Sequence, residues 1–177
     1  MKKYGFPLLL VAIVAVMVGV FAIGNKTPST PDNKKLLGVN HADLGQKHIA
    51  AGEAHVAYNS NTPSSGPHYT SPVPWGTKVS EVADETLVHN AEHGGVVITY
   101  KPDLPATDID KLKKLASELP KSSQFNEIKI VVAPRTANEA PVQLMAWTYT
   151  LNLQTIDTNT ITQFYNDHLD KGPELVP

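Results

Sequence analysis

Hydrophobic and polar positions divide the chain into three parts. Residues 6–24, FPLLLVAIVAVMVGVFAIG, contain no charged side chain. A helix rises about 1.5 Å per residue, so this run would be roughly 30 Å long as a helix, enough to cross the apolar core of a bilayer. Residues 25–35 are polar and interrupted by prolines, which predicts an extended linker. In residues 36–177, short apolar runs alternate with polar turns, as is typical of a folded domain.

Residues 1–24 are predicted to form an N-terminal membrane anchor. A cleaved signal peptide has a shorter apolar region, of about 7–15 residues, before a site of small residues. The sequence AIG at 22–24 keeps a cleaved signal peptide open as the alternative. Lys2 and Lys3 precede the span and favour a cytoplasmic N-terminus. We therefore expect a single-pass protein of the cell membrane, or a secreted one if the segment is cleaved, with domain 36–177 outside the cytoplasm.

Within that domain, the apolar spacing predicts three helices and three strands. In chain order, we expect a helix over 80–93, a strand over 96–100, a helix over 107–119, strands over 127–133 and 141–153, and a helix that begins at Asp157 or Thr158 and ends at Gly172-Pro173. Gly94 is well placed to end the first helix, and Thr107 to cap the second. This order predicts an α+β fold, with one small mixed or antiparallel sheet and packed helices, behind an N-terminal transmembrane helix.

A long segment between the linker and the first helix resists assignment to regular structure. Residues 58–78 carry four prolines and two glycines. No helix or strand tolerates that density, so we expect a long loop. Loops of this length inside compact domains are usually functional or disordered, and Tyr58, Tyr69 and Trp75 argue against disorder.

The composition narrows the candidate chemistry. A formal net charge of −2 gives no basic surface of the kind that binds nucleic acid. The chain has no cysteine, so a transition-metal site would have to use histidine, methionine and carboxylate ligands. The seven histidines are therefore the residues to weigh first.

The stretch LVHNAEHGGVVITY, residues 87–100, places His89 and His93 four positions apart. In a helix, this spacing puts both imidazoles on one face, within reach of a single metal ion. A competing explanation is that a histidine at the C-terminal end of a helix interacts with the helix dipole and binds no metal. The spacing alone leaves both explanations open.

His68 favours the metal site. It follows SSGP at 64–67, in which Pro67 fixes its own backbone and biases Gly66 away from helix. A stiff loop of this kind can deliver a third imidazole with little loss of entropy. The alternative is that His68 only forms a hydrogen bond with a neighbouring carbonyl.

Two further residues could complete a metal site. The sequence around His48 has no strong signature. We expect His48 to be either a fourth ligand or a residue that contacts the ligands. Met145 would favour copper, because thioethers select Cu(I) whereas imidazole suits copper and zinc alike, but methionine more commonly fills a core. His41 and His55 are expected on the surface, and His168 in the core.

The loop YNSNTPSSGPHY and the stretch LVHNAEHGGVVITY together resemble a bacterial family known only as a domain of unknown function. Its members share the forms Y-N-x-x-P-P-T-S-G-P-H and L-V-H-N-x-E-H-G-G-V-V, and the resemblance extends over most of the predicted domain. It implies an exported protein, often behind a single N-terminal span, and supplies no reaction. The chain departs from the pattern at 62–64, where it reads Thr-Pro-Ser. The residues that match the motif positions are His48, His68, His89, Glu92 and His93.

The first functional hypothesis is an extracytoplasmic module that binds one transition-metal ion, with copper ahead of zinc. Its ligands would be His68, His89 and His93, completed by His48, Met145 or water. The sequence identifies no protein partner.

Two other functions remain open. His89 to His93 fits H-x-x-E-H, the inverted zinc-peptidase pattern, in which Glu92 would activate a zinc-bound water. That architecture places the motif inside a longer helix, whereas Gly94-Gly95 follows here at once. The other alternative is an interaction domain without a metal, whose loop 58–78 contacts partners in the cell envelope.

Overall fold

The computed structural model describes residues 35–177, and residues 36–177 form one compact unit. The predicted anchor at 1–24 and all but the last residue of the linker at 25–35 lie outside the described residues. Within residues 35–177, no helix has the length and hydrophobicity to cross a membrane.

The described residues form eight strands and three helices. The strands are β1 (Val39–Asn40), β2 (His48–Ile49), β3 (His68–Tyr69), β4 (Gly76–Thr77), β5 (Val96–Tyr100), β6 (Ile130–Pro134), β7 (Val142–Ala146) and β8 (Tyr149–Leu153). The helices are α1 (Asp84–Glu92), α2 (Ala106–Glu118) and α3 (Thr158–His168).

Six of the strands form one mixed sheet in the order β1-β8-β7-β5-β6-β4. The pairs β4·β6 and β5·β6 are parallel, and the pairs β5·β7, β7·β8 and β1·β8 are antiparallel. A separate parallel pair is formed by β2 and β3. The prediction of an α+β fold with a small mixed sheet and packed helices is confirmed for residues 35–177.

Both faces of the central sheet are buried. In β5, Val96 and Ile98 pack in a core that includes Leu112 of α2 and Phe164 of α3. Val97 points to the opposite face, because successive side chains of a strand alternate between faces. This second core contains residues of α1, β6, β7 and the turn after β7, namely Leu87, Val88, Ala91, Val131, Ala133, Met145 and Trp147. Helix α1 is therefore held by its own apolar layer, on the sheet face opposite α2 and α3.

The segment 141–153, predicted as a single strand, is a hairpin. Ala146 pairs with Tyr149 across a turn at Trp147 and Thr148. Thr148 has a φ of 61°, and its N–H donates to the Ser64 carbonyl at 2.8 Å. Residues other than glycine rarely take a positive φ, and here a contact from a distant loop holds the turn. No local sequence signal marks this turn. Because of the turn, Tyr149 packs in the first core, whereas Met145 packs in the second.

The helix ends differ from prediction in three places. Helix α1 begins at Asp84 rather than residue 80, and α2 begins after Pro105, so Thr107 is not its cap. Helix α3 ends at His168, well before Gly172-Pro173. Beyond it the chain turns at a positive φ, and the N–H of residue 170 bonds to the carbonyl of residue 94, which draws the chain off the helix axis. The Asp157 cap is confirmed, because its side chain accepts from the N–H groups of residues 159 and 160.

The C-terminal end of α1 is shaped by two glycines. Gly94 has a φ of +76°, and the N–H groups of Gly94 and Gly95 bond to the carbonyls of Ala91 and Asn90 at 2.9 and 3.1 Å. This is the bonding of a Schellman motif, so the prediction that Gly94 ends the helix is confirmed. Gly95 serves a different purpose, because a Cβ at this position would overlap the Trp75 ring.

We expect Gly95→Ala to destabilise the fold by about 1–3 kcal/mol, the range for overpacking a filled site. The added methyl group would overlap the Trp75 ring and would also lie 3.0 Å from the Asn90 carbonyl oxygen. Urea denaturation measures the change in the free energy of unfolding. In the Trp75→Leu background, Gly95→Ala should cost less stability than it does in the unchanged protein. If the effects of the two changes are additive, the steric explanation is wrong.

His168 is a satisfied core histidine, as predicted. Its Nε2 lies 2.8 Å from the Leu37 carbonyl oxygen, and its ring packs against those of Tyr149 and Phe164. Burial lowers the pKa of His168 below its ordinary value of 6.5, although the Leu37 carbonyl and Asp167 act in the opposite direction. The folded state therefore prefers the neutral ring.

This preference predicts a loss of stability in mild acid. The unfolded chain binds the proton more readily, so the contribution of His168 is complete above its ordinary pKa of 6.5 and declines as the pH falls from there toward the lower folded pKa. Unfolding free energies at about pH 7.5 and about pH 5 should differ less in His168→Gln than in the unchanged protein. His89 and His93 titrate in both proteins. If the unfolding free energy changes equally with pH in the two proteins, His168 does not contribute to the pH dependence.

Candidate metal centre

The short parallel pair of β2 and β3 brings two distant histidines side by side. His48 and His68 are register partners in this ladder. The N–H of His68 donates to the Lys47 carbonyl and the N–H of Gly66 to the Gly45 carbonyl, both at 3.0 Å. The backbone around His68 is therefore fixed along the segment that carries His48.

The loop that carries His68 is closely packed. Gly66 has a φ of +119°, and a Cβ there would lie 3.1 Å from the Leu44 Cβ. The hydroxyl of Tyr58 donates to the Pro67 carbonyl. Residues 62–68 are all buried, so the loop presents a fixed His68 side chain, as the SSGP sequence predicts.

Helix α1 contributes His89 and is joined to the same loop. The Asn90 side chain bonds to both backbone groups of Val73, accepting from its N–H at 3.0 Å and donating to its carbonyl at 2.8 Å. His89, one position earlier, places its Nδ1 2.6 Å from the Tyr69 carbonyl oxygen. Hydrogen bonds next to His68 and His89 therefore join the helix to the loop.

The three imidazoles form a compact triangle. The ring centroids of His48 and His68 are 4.8 Å apart, those of His68 and His89 are 5.1 Å apart, and those of His48 and His89 are 5.2 Å apart. Rings this close can reach a common ion, because a metal–nitrogen bond is about 2.0–2.1 Å long.

Glu92 completes this group, which we call the His48 cluster: His48, His68, His89 and Glu92. The Glu92 side chain is 1% exposed, and its Oε2 lies 2.9 Å from His68 Nε2 and 3.4 Å from His48 Nε2. One candidate ligand atom from each of the four residues lies within 4.8 Å of the others. The His48 cluster therefore offers three nitrogens and one oxygen to a single centre.

Backbone carbonyls fix two of the rings in a ligating form. His68 Nδ1 lies 2.8 Å from the Gly66 carbonyl oxygen, and His89 Nδ1 faces the Tyr69 carbonyl. A carbonyl oxygen only accepts, so each Nδ1 carries a proton and donates it. In a neutral ring, this leaves the Nε2 lone pair for a ligand, as in most metal-bound histidines of proteins.

The neutral state of His89 is favoured by its surroundings. Burial lowers the pKa of His89, and the neighbouring His93 and His68 lower it further, against the Tyr69 carbonyl and Glu92. Only the neutral imidazole has a lone pair to give to a metal. Burial of His89 therefore favours the form of the ring that could bind a metal.

His93 lies outside the His48 cluster, although it was predicted to share an ion with His68 and His89. Its ring centroid is 4.5 Å from that of His89, but its ligand atom groups with those of Glu92 and Glu174. His48, predicted as a completing ligand, is the third histidine beside His68 and His89. The i,i+4 spacing places the two helix rings near each other but does not determine from which side the loop approaches.

Met145 lies in the apolar layer beneath α1. It is 1% exposed and packs in the core that contains Leu87, Val88 and Ala91. The two histidines predicted on the surface are partly buried and lie outside the His48 cluster. His41 contacts Thr150 at 2.8 Å, and His55 contacts Glu85 at 3.3 Å and the Val56 carbonyl at 2.7 Å.

The His48 cluster is open on one side. His48 is 42% exposed, whereas His68 is fully buried. The Trp147 ring meets that of His68 edge-on at 6.3 Å, and its Nε1 donates to Asp43 Oδ2 at 3.1 Å. Solvent and solutes therefore reach the cluster from the side of His48.

Sequence reasoning missed the carbonyls of Gly66 and Tyr69 and the pairing of β2 with β3. A backbone oxygen carries no residue signature, and strands of two residues show no periodicity. The even spacing of His41, His48 and His55 gives no indication of which histidine faces the site.

Residues 48–176 match the family described as "Protein of unknown function (DUF3105)". No curated protein and no solved structure matches the chain. The match begins at His48 and includes every residue of the site. Because it covers more than half of the chain, the chain belongs to the DUF3105 family of proteins of unknown function.

Proposed function

We propose that the domain binds one transition-metal ion, zinc or copper, in the His48 cluster. The observation that carries the proposal is the orientation of the rings: two buried imidazoles donate Nδ1–H to backbone carbonyls, and both belong to a group of four candidate ligand residues. The proposed location, outside the cytoplasm and at the cell membrane, rests on the uncharged run at 6–24.

The geometry needs only a small contraction to hold an ion. Ligands of a tetrahedral zinc ion with bonds of about 2.0–2.1 Å lie roughly 3.3 Å apart. The candidate atoms of the His48 cluster lie within 4.8 Å of one another. His48 is the exposed member, so its side chain is the one with the most freedom to move toward an ion.

A metal ion also explains the position of Glu92. Glu92 Oε2 and His68 Nε2 are 2.9 Å apart, while His68 Nδ1 already donates to Gly66. Without a metal, a proton must lie between the carboxylate and the imidazole, because two lone pairs repel each other at this distance. An ion displaces that proton and supplies the positive charge that a buried carboxylate requires.

The ligand set supports a divalent ion. Three imidazoles and one carboxylate suit Zn²⁺ or Cu²⁺, whereas Cu(I) prefers sulfur ligands. The expected preference for copper depended on Met145, which packs in the apolar core. Without that sulfur, zinc and Cu²⁺ are supported equally.

One observation favours hydrolysis as a second candidate function. Glu92 lies beside the open side of the His48 cluster, 3.4 Å from the exposed His48. If the three imidazoles held zinc and water took the fourth position, Glu92 could act as the general base toward that water. The third hypothesis, an interaction domain without a metal, would be preferred if His68, His89 and His93 lay far apart. The ring centroids of His68 and His89 are 5.1 Å apart and those of His89 and His93 are 4.5 Å apart, so this distance criterion does not favour it.

We expect the full chain, purified without a histidine tag, to bind Zn²⁺ or Cu²⁺ in a tight first step. The double variant His68→Ala/His89→Ala should lose affinity in that step by more than about 100-fold, since it removes two ligands where loss of a supporting contact alone costs about 10- to 100-fold. Isothermal titration calorimetry measures the affinity, and elemental analysis the bound metal.

The matched control is His41→Ala/His55→Ala, which removes the same number of imidazoles outside the His48 cluster. It should keep the affinity of the unchanged protein. Equal losses in the two double variants would assign binding to histidines in general, and full retention in His68→Ala/His89→Ala would overturn the proposal.

The zinc-loaded protein should hydrolyse peptide and ester substrates no faster than the Glu92→Gln variant, if binding is its function. Turnover that needs zinc and falls by about 100-fold or more in Glu92→Gln at saturating zinc would instead favour the hydrolase, because this is the usual contribution of a general base. A fluorogenic peptide mixture and a p-nitrophenyl ester provide the measurement.

A further inference from the structure

A second group of candidate ligands lies next to the His48 cluster and shares one residue with it. Glu92, His93 and Glu174 each offer a ligand atom, and these atoms lie within 4.8 Å of one another. Glu92 therefore belongs to both groups. A carboxylate has two oxygens, and Oε2 is the one that faces His68 and His48.

The C-terminal segment is held against the end of α1, and this is what places Glu174. The N–H of Glu174 donates to the Glu92 carbonyl at 3.0 Å, and the N–H of Asp170 donates to the Gly94 carbonyl at 2.9 Å. Gly172 permits the approach, since a Cβ there would overlap the Glu92 carbonyl oxygen. The backbone thus fixes Glu174 beside His93.

Lys129 also binds the C-terminal segment to the end of α1. Its buried Nζ donates to the carbonyls of His93 and Val176 and lies 3.4 Å from Asp170 Oδ1. One cation therefore joins the end of α1 to the segment that carries Glu174. With the backbone at both ends constrained, the side chains of His93 and Glu174 are held near each other.

The separation of these two side chains is that of co-ligands. His93 Nε2 and Glu174 Oε2 are 3.7 Å apart, beyond the range of a hydrogen bond between nitrogen and oxygen. Two ligands of one tetrahedral ion lie roughly 3.3 Å apart, so an ion can sit between these atoms with little movement.

We propose a second cation site formed by His93, Glu174 and Glu92, so that Glu92 bridges two metal ions. The proposal rests on the proposed function of the His48 cluster. Two ions bridged in this way lie about 3.5–4 Å apart in proteins. One imidazole and two carboxylates suit Zn²⁺ and leave room for water, and Glu174 is 46% exposed, so the second ion binds more weakly than the first.

Titration with Zn²⁺ alone tests this site. The full chain should bind two equivalents, counted by native mass spectrometry and by calorimetry, with the weaker step second. Glu174→Gln should bind one equivalent at unchanged first affinity. The matched control is Glu118→Gln, which neutralises an exposed carboxylate on α2 and should keep both steps. Circular dichroism establishes that each variant is folded.

Copper provides a readout that depends on the distance between the ions. Two Cu²⁺ ions about 3.5–4 Å apart couple magnetically, so the second equivalent should broaden or diminish the electron paramagnetic resonance signal. In Glu174→Gln, the signal of the first ion should persist unbroadened as more copper is added.

The outcomes separate the two proposals. A single equivalent in the unchanged protein, or two equivalents in Glu174→Gln, overturns the second site and leaves the His48 cluster standing. No bound zinc or copper in the unchanged protein overturns both. Two equivalents whose Cu²⁺ signals stay independent overturn the bridging role of Glu92.

Discussion

The structure of the site depends on the burial of one carboxylate. The Glu92 side chain is 1% exposed at the end of α1, where a negative charge also meets the unfavourable end of the helix dipole. A buried charge is tolerated only with positive partners and hydrogen bonds. The partners that surround Glu92 are imidazoles, which can be neutral ligands or protonated cations, and this dual capacity makes the region chemically distinct from the rest of the domain.

The fold supplies these partners by joining segments far apart in sequence. The pairing of β2 with β3 brings His48 to His68, and the side chain of Asn90 fastens the same loop to α1. Gly94 turns the chain sharply after α1 into β5, which lies at the centre of the sheet. The helix end is therefore anchored to a fully buried strand, which holds the candidate ligands of α1 in place. A site preorganised in this way would lose little conformational entropy on binding an ion.

Local physics explains which features could be predicted from the sequence. The apolar stripes of α2 and α3, the Asp157 cap and the turn at Gly94 each depend on neighbours within a few residues, and each was predicted. The turn at Thr148 depends on Ser64, more than eighty positions earlier, and could not be. The same distinction holds in the site. His68 and His89 stand in informative local sequences, whereas the place of His48 is set by a ladder of two residues, which leaves no periodic trace.

The exposure of the ligands bears on what a bound ion would do. Structural metal sites are closed, with all positions taken by protein, whereas sites for chemistry or exchange keep a position open. Each of the two ligand groups has one exposed member, His48 at 42% and Glu174 at 46%, among partners that are largely buried. A domain with a sheet buried on both faces has a core large enough to fold without a structural metal ion. An ion held here would therefore be within reach of water or of an incoming ligand, which is the arrangement needed to exchange a metal or to use it rather than to hold the fold together.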